Sequence, residues 1–480
     1  MPVATHQPSL FWHDYETWGA NPVKDVPAQF AGVRTDLELN IIEEPVEWFC
    51  QIPNDYLPHP QACLITGITP QQSLRDGMNE AEFARHIEHQ FSRPDTCVVG
   101  YNNLRFDDEV TRHLLYRNFY EPYAREWQNG NSRWDIIDMV RACYALRPEG
   151  IEWPEREDGS PSFKLEHLTQ ANGLGHDRAH DAMSDVYATI DMARLIKQKQ
   201  PKLYHYLFGL RKKSAVKALI DYHNLTPLVH VSSKLPAVNG CTSWIVPVCP
   251  HPINRNAIIC LNLALDPSPL FDLDAEQLRH KLYQPSSELT EGEQRLPIKL
   301  VHLNKSPVLA PAKTLTEDNA DRLGLDRQQC LHNLSLIKNS PGLVQKLQDV
   351  FDTEPESIEK DADHALYSGG FIGDADKSRC EQVRLSEPEQ LTGLDWQFED
   401  PRLNTLLFRY RARNYPQTLT EAEMNRWQRH RQYRLTAPDS PASINLTEFA
   451  EQLEILSESV KEDPNKLAIL RALYQYASEL

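Results

Sequence analysis

The sequence lacks any apolar run approaching the roughly 18 residues that a membrane span needs. Its opening segment, MPVATHQPSL, has no basic stretch leading into an apolar one. No membrane partner and no secretory signal are therefore expected. It also lacks a CxxC pair. The nine cysteines, Cys50, Cys63, Cys97, Cys143, Cys241, Cys249, Cys260, Cys330 and Cys380, are odd in number and mostly sit in apolar company, which predicts buried free thiols in a reducing, cytoplasmic setting. There is no excess of positive charge. A net charge of -18 and a pI near 5.5 argue against nonspecific nucleic-acid binding by the chain as a whole, although a local basic stripe, not the total, decides such binding. No internal repeat and no low-complexity tract occurs, so a repeat architecture is not expected.

What is present fits a chain of several domains. At 480 residues, with roughly 150 residues per domain, about three are expected. The 40% hydrophobic and 25% charged content is ordinary for a globular protein with a sizeable core. Two basic stretches stand out, Lys197–Lys217 and Arg409–Arg434. The second interleaves Tyr410, Tyr415, Trp427 and Tyr433 with its arginines. That mix suits either base stacking with phosphate contact or a solvated helix face.

Residues 10–17 (LFWHDYET), 29–42 and 46–50 read as strands of a meander, and Thr96–Tyr101 as a short apolar strand. Helical spacing runs through Glu80–Phe91, Asp107–Asn118, Trp134–Leu146, Phe163–Ala171 and Asp181–Lys199. Strands followed by strand–helix alternation predict an α/β domain of about 200 residues. From Leu225 to Leu265 short β-rich runs punctuated by Pro and Asn predict a small β-barrel with helical decoration, ending near Val350. Residues 352–363 are acidic and read as a linker, and Asp374–Leu480 is helical in composition.

Three short motifs carry chemistry. In Asp14-Tyr15-Glu16, residues i and i+2 of a strand point to one face, so two carboxylates project together while Tyr15 points away. Such a pair repels unless a cation lies between its members. In YNNLRFDDEVTR, Phe106 is placed to anchor a turn, with Asp107 at a helix start; Asp108 and Glu109 read as charges favouring the helix dipole. In AHDAMSDVYATI, His180 and Asp185 are five apart and cannot share one face from mid-helix. His180 is therefore placed in the loop before the helix, Asp181 at its cap or first turn, and Asp185 one turn in. Carboxylates at this density hold hard divalent cations, and a histidine nearby takes a proton from water. The combination points to metal-assisted hydrolysis of a phosphodiester.

The order and context of these motifs resemble the DEDDh, or proofreading-type, 3'→5' exonucleases. HDYETWG, LITGITPQ, GYNNLRFDDEVTR, NSRWDIIDMVRACYALRPEGI, AHDAMSDVYATI, HLNKSPVLA and RYRARNYP, spread from His13 to Pro416, further resemble the bacterial exonuclease I family. The resemblance implies an RNase H-like α/β exonuclease domain (1–200), an SH3-like β-barrel domain (201–352) and an all-α C-terminal domain (357–480), closing as a clamp over the strand. It implies a monomeric, processive enzyme of DNA repair and recombination that degrades single-stranded DNA to 5'-mononucleotides. Asp14, Glu16 and Asp185 would bind one Mg2+, and Asp14 with Asp107 a second, with Mn2+ as an alternative metal; His180 would act as general base.

The resemblance also implies strand contacts from Glu16 and Thr17 at the terminal nucleotide and from Ile65 and Thr66 wedged against its base. Lys164 stands where the family has arginine, keeping the charge but losing the bidentate fork. Arg112, Arg141 and Arg147 are further basic candidates, Tyr123, Trp127 and Tyr206 candidate stacking platforms, and Arg255, Lys299 and Lys305 candidate phosphate contacts. The family also binds the acidic C-terminal tail of single-stranded-DNA-binding protein, for which Arg147, Tyr206 and Lys338 are candidates. Two other readings remain: an RNA nuclease of the same fold, distinguished by equal rates on matched RNA, and a noncatalytic clamp, distinguished by magnesium-independent binding without nucleotide release.

Overall fold

The computed structural model describes residues 7–175, 181–285, 288, 295–353 and 360–480. Two compact units emerge. One comprises Met1–Ser132, His176–Tyr187 and Ser357–Leu480; the other comprises Arg133–Gly175 and Ala188–Glu356.

The first unit is built on strands β1 (Ser9–Thr17), β2 (Pro27–Thr35), β3 (Val46–Phe49) and β4 (Thr96–Gly100). Their order is β3-β2-β1-β4, with β1 antiparallel to β2 and parallel to β4. Nearly every residue of β1 and β2 is buried, the polar ones included. The expected strand over 29–42 stops at Thr35. The Asp36 carboxylate accepts from the backbone N–H of Glu38 and Asn40 at 2.8 and 2.9 Å, and that side-chain turn competes with the ladder. Helices α1 (Pro60–Thr66), α2 (Pro70–Asp76), α3 (Glu80–Phe91) and α4 (Asp107–Arg117) follow. Phe11, Tyr15, Phe30, Phe83, Phe91, Val98, Val110 and Leu114 form the core that α3 and α4 share with the sheet.

Residues 374–480 are helical, as their composition predicts, with helices Asp374–Leu385, Pro401–Asn414, Glu421–Thr436, Leu446–Ser459 and Pro464–Glu479. Thr420 with Glu423, and Asn445 with Glu448, close reciprocal capping boxes. Leu470, Leu473 and Tyr476 pack in one cluster with Trp18, Val26, Ile52 and Leu57.

In the aromatic-basic stretch 409–434, four arginines face carboxylates, while Arg426, Arg429 and Tyr433 are exposed. Arg413 joins Asp55 (3.1 and 2.7 Å) and Asp363 (2.9 and 2.6 Å), while Arg409 joins Asp361 and Asp363. Arg434 lies 3.5 Å from Asp55 and 3.4 Å from Asp363, and Arg411 holds Glu423 at 2.7 Å. All four guanidiniums are buried or nearly so, because each faces a carboxylate and not water. The same knot corrects the linker prediction at its far end. Residues 354–359 lie outside the described residues, but Asp361 and Asp363 are fixed parts of the ion network.

In the second unit, β5 (Ser132–Asp135) leads into a helix over Ile136–Leu146. That helix begins later than its periodicity predicts because Asp135 caps it, accepting from the Ile137 N–H at 3.1 Å. Strands β6 (Leu228–Val231), β7 (Thr242–Pro250), β8 (Ala257–Asn262), β9 (Ile298–His302) and β10 (Val308–Pro311) form an antiparallel sheet in the order β10-β6-β7-β8-β9. Among the described residues no pairing joins β9 to β10, so the expected barrel is an open five-stranded sheet. All nine cysteines are buried and free, as expected. No helix among the described residues is long and apolar enough to cross a membrane.

Candidate active site

β1 carries the first two carboxylates. Its register sets Asp14 opposite Ala31 and Glu16 opposite Gln29, with an irregularity in the ladder between Glu16 and Thr17. The alternation of the strand therefore delivers both acids to one face. β4 ends on Gly100 where the chain turns tightly back: a Cβ there would stand 2.8 Å from the Asn103 Cβ and 3.0 Å from the His13 carbonyl oxygen. After the turn, Phe106 packs at the edge of the sheet core and Asp107 opens α4. The Asp107 Oδ1 accepts a hydrogen bond from the Tyr15 backbone N–H at 3.2 Å, which ties the third acid to the strand bearing the first two.

The fourth acid sits in the first turn of the helix Ala182–Lys199. Asp181 caps that helix, its carboxylate accepting from the Ser184 N–H at 3.2 Å, as its position predicts. Asp14, Glu16 and Asp185 each present a carboxylate oxygen within 4.8 Å of the others. His180 lies outside the described residues.

The electrostatics of the cluster follow from crowding. Burial, then Asp107, Glu16 and Asp185, hold the Asp14 carboxyl well above the usual carboxylate range. Burial, then Asp185, Asp107 and Asp181, push Glu16 up to about 9. Burial pushes Asp107 up to about 7, with Asp108 and Asp185 adding to the rise and the Tyr15 N–H opposing it. These groups resist simultaneous ionisation, and a divalent cation among them would supply the missing counter-charge. An all-oxygen donor set of this kind suits a hard ion such as Mg2+ or Mn2+.

The first turn of α4 holds three consecutive acids with three separate tasks. Asp107 faces the cluster. Asp108 makes a fully buried pair with Arg125 at 2.8 Å, and Glu109 pairs with Arg112. The sequence reading gave Asp108 and Glu109 only to the helix dipole and missed Arg125, which is separated from Asp108 by a full helix and a loop and carries no local signal. Arg112, a candidate strand contact, lies on the same helix. It is 5% exposed, with its donors taken by Glu126 at 2.7 and 3.1 Å and by Glu109, so a phosphate would have to displace a carboxylate to reach it.

The other residues predicted to contact the strand fall in both units. In the first, the Thr17 hydroxyl donates to the Gly19 carbonyl at 2.6 Å and its oxygen can still accept. Ile65 is exposed on α1, and Thr66 ends that helix. Trp127 is 67% exposed, in keeping with a stacking platform, whereas Tyr123 is half-buried beneath the Arg112 guanidinium.

In the second unit, Lys164 is exposed beside Glu166, and Arg255, Lys305 and Lys338 are exposed. Lys299 is half-buried, its ammonium 3.4 Å from the Ser232 hydroxyl. Arg141 is buried and paired with Asp138 at 2.7 Å. Arg147 donates to the Thr314 carbonyl at 3.1 Å, and the Tyr206 hydroxyl to the Leu309 carbonyl at 2.8 Å.

Family profiles match over residues 11–193 (Exonuclease), 211–353 (Exonuclease I SH3-like domain) and 360–480 (Exonuclease I C-terminal domain). Exodeoxyribonuclease I of Escherichia coli (strain K12) is 51% identical over 481 residues, covering 100% of both chains. The chain belongs to the exodeoxyribonuclease I family. A second member, from Haemophilus influenzae, is 48% identical, with 98% of each chain covered. Among solved structures of the family, E. coli exonuclease I in complex with a dA16 oligonucleotide superposes with a TM-score of 0.94 at 51% identity, covering 98% of this chain and 100% of that one. The zinc-bound E. coli enzyme with single-stranded DNA gives 0.93 at 50% identity, covering 98% and 99%. The structure described as SSB/exonuclease I with an inhibitor gives 0.91 at 50% identity, covering 99% and 100%.

Proposed function

We propose that this chain is a processive 3'→5' exonuclease that releases 5'-mononucleotides from single-stranded DNA, with a role in DNA repair and recombination. The observation that carries the reading is the convergence of Asp14, Glu16 and Asp185 within 4.8 Å, with Asp107 tied to the same strand, in a chain whose full-length relatives are exodeoxyribonucleases I. Asp14, Glu16 and Asp185 are assigned to one Mg2+, and Asp14 with Asp107 to a second; Mn2+ fits the same oxygen donors. When bound, such a pair of ions stabilises the attacking and leaving oxygens of the scissile phosphate.

The protein's own groups do the rest. Glu16 and Thr17 orient the terminal nucleotide, and Ile65 and Thr66 close against its base. His180 accepts a proton from the attacking water, a role suited to a group titrating near neutrality. The 3'-oxygen of the penultimate nucleotide leaves. Lys164, Arg112, Arg141, Arg147, Tyr123, Trp127, Tyr206, Arg255, Lys299 and Lys305 remain candidates for following the strand. Arg147, Tyr206 and Lys338 are candidates for the acidic C-terminal tail of single-stranded-DNA-binding protein. This reading assigns the domains to 1–200, 201–352 and 357–480, and the enzyme to the cytoplasm as a monomer.

The test is release of labelled 5'-mononucleotide from 3'-labelled single-stranded DNA with Mg2+, comparing the wild-type chain with Asp185→Ala. Rapid release, lost in the variant and absent on blunt duplex, is expected. Equal release by the variant would remove the metal assignment. Matched rates on RNA would favour the RNA-nuclease reading.

A further inference from the structure

We infer that Tyr15 is a positioning residue that braces α4 against β1 and so sets where Asp107 stands relative to Asp14 and Glu16. The inference rests on the exonuclease reading above and adds a residue to it. Strand alternation turns the Tyr15 side chain away from the acid-bearing face, where it is 4% exposed. There it packs in the cluster that contains Val110 and Leu114 of α4, with the Phe30 ring centroid 5.0 Å away in an edge-on arrangement.

Two hydrogen bonds run from this one residue to α4. Its backbone N–H donates to the Asp107 Oδ1 at 3.2 Å, and its phenol shares a hydrogen bond with the Thr111 hydroxyl at 3.0 Å. Asp107 and Thr111 are four apart on the helix, hence one above the other on the same face, about one 5.4 Å turn apart. A helix held at a single point can swivel about it. Held at two points one turn apart, it cannot rotate or slide without breaking one of them.

The brace opposes a definite force. Asp107 lies within the electrostatic reach of Asp14 and Asp185, so wherever these carboxyls are ionised without counter-charge, repulsion pushes the start of α4 away from β1. On other sides the same turn is held by the Asp108–Arg125 and Glu109–Arg112 pairs. Tyr15 supplies the restraint between α4 and β1. It touches no substrate and no reacting atom, and acts through Asp107.

Two full-length variants separate this role from simple packing. Tyr15→Phe keeps the ring and the backbone N–H and removes only the hydroxyl; Thr111→Val removes the other half of the bond with little change of shape. The readouts are Mn2+ titration followed by electron paramagnetic resonance without DNA, and steady-state degradation of single-stranded DNA. The wild type is expected to bind two Mn2+ ions. Each variant should weaken the weaker site about three- to tenfold, the worth of one buried hydrogen bond, and leave the tighter site within about twofold. The kcat should fall by a similar factor at unchanged KM for DNA. The double variant should be no worse than either single one, since both remove the same bond.

Wild-type isotherms and wild-type kcat in both variants would overturn the brace. So would equal weakening of both metal sites, or losses that multiply in the double variant. A wild-type chain that neither binds two ions nor degrades DNA would instead overturn the exonuclease reading on which the brace depends.

Discussion

Asp14→Asn degrades single-stranded DNA at least ~10^3-fold more slowly than the wild type, yet melts at a higher temperature in EDTA at pH 8. Both halves of this expected result come from one cause. In the metal-free protein, burial and then three neighbouring carboxylates hold the Asp14 carboxyl well above its usual range. The folded state therefore keeps a proton there that the unfolded chain releases near pH 4. Above that pH the folded state is penalised relative to the unfolded one, increasingly so as pH climbs towards the folded value. Glu16, pushed up to about 9, and Asp107, pushed up to about 7, carry the same sign. Asparagine at position 14 keeps the shape, removes one charge and relieves its neighbours. It also removes a ligand assigned to both ions, and the charge stabilisation lost with them is several kcal/mol, equivalent to about three decades in rate or more. Differential scanning calorimetry at pH 5, 7 and 9, with EDTA or with Mg2+, checks the stability half. The wild-type melting temperature should fall with pH in EDTA and recover in Mg2+, while the variant should show a shallower fall and little recovery. A variant that melts below the wild type at pH 8 in EDTA would contradict the account.

Asp363→Ala should destabilise the first unit by about 3–5 kcal/mol, the usual cost of stripping one partner from a buried ion network. Asp363 is 2% exposed and faces Arg409, Arg413 and Arg434 at once. Its removal leaves three guanidiniums short of counter-charge, with Asp55 and Asp361 as their remaining partners. The pH dependence has the opposite sign to that of the metal cluster. Burial alone would raise the carboxyls of Asp363 and Asp55, but the facing arginines outweigh it and hold both well below the usual range. Their contribution is complete above the unfolded carboxyl value near pH 4 and is lost as pH falls below it. Urea unfolding at pH 7 and at pH 3 is the measurement. The gap between Asp363→Ala and wild type should be large at pH 7 and narrower at pH 3. An equal gap at both pH values would mean that the loss comes from packing, not from charge.

The legible part of the molecule was local. Asp14 and Glu16 are adjacent on one strand face, and strand periodicity alone pairs them. Asp181 as a cap and Asp185 one turn inside follow from helix geometry. Asp107 announces itself by its place after an apolar strand and a turn.

The arginines were not legible in the same way. Arg112 and Arg141 read as cations open to phosphate, and the 409–434 stretch as either that or a solvated helix face, because a sequence shows charge and not the partner that faces it. Arg413 meets Asp55 across 358 residues, and no window of the chain contains both. Tyr15 was read as pointing away from the site, which is true of its ring, but its hydrogen bonds reach the site through α4. The open edge of the second unit's sheet was hidden for a related reason: short β runs specify strands but not whether the last pairs with the first.

The make-up of the first unit also bears on how the chain is born. Its clustered acids are all synthesised by Asp185, yet the cluster that buries Trp18, Ile52 and Leu57 is completed by Leu470, Leu473 and Tyr476. About 290 residues separate Asp185 from Tyr476, on the order of 15–60 s of translation at about 5–20 residues per second. During that interval the ribosome holds a nascent chain with every carboxylate of the acid cluster already made but with loop 52–57 unsupported and Asp55 without its arginines. The first unit thus cannot complete this part of its core until synthesis has run almost through the helical region.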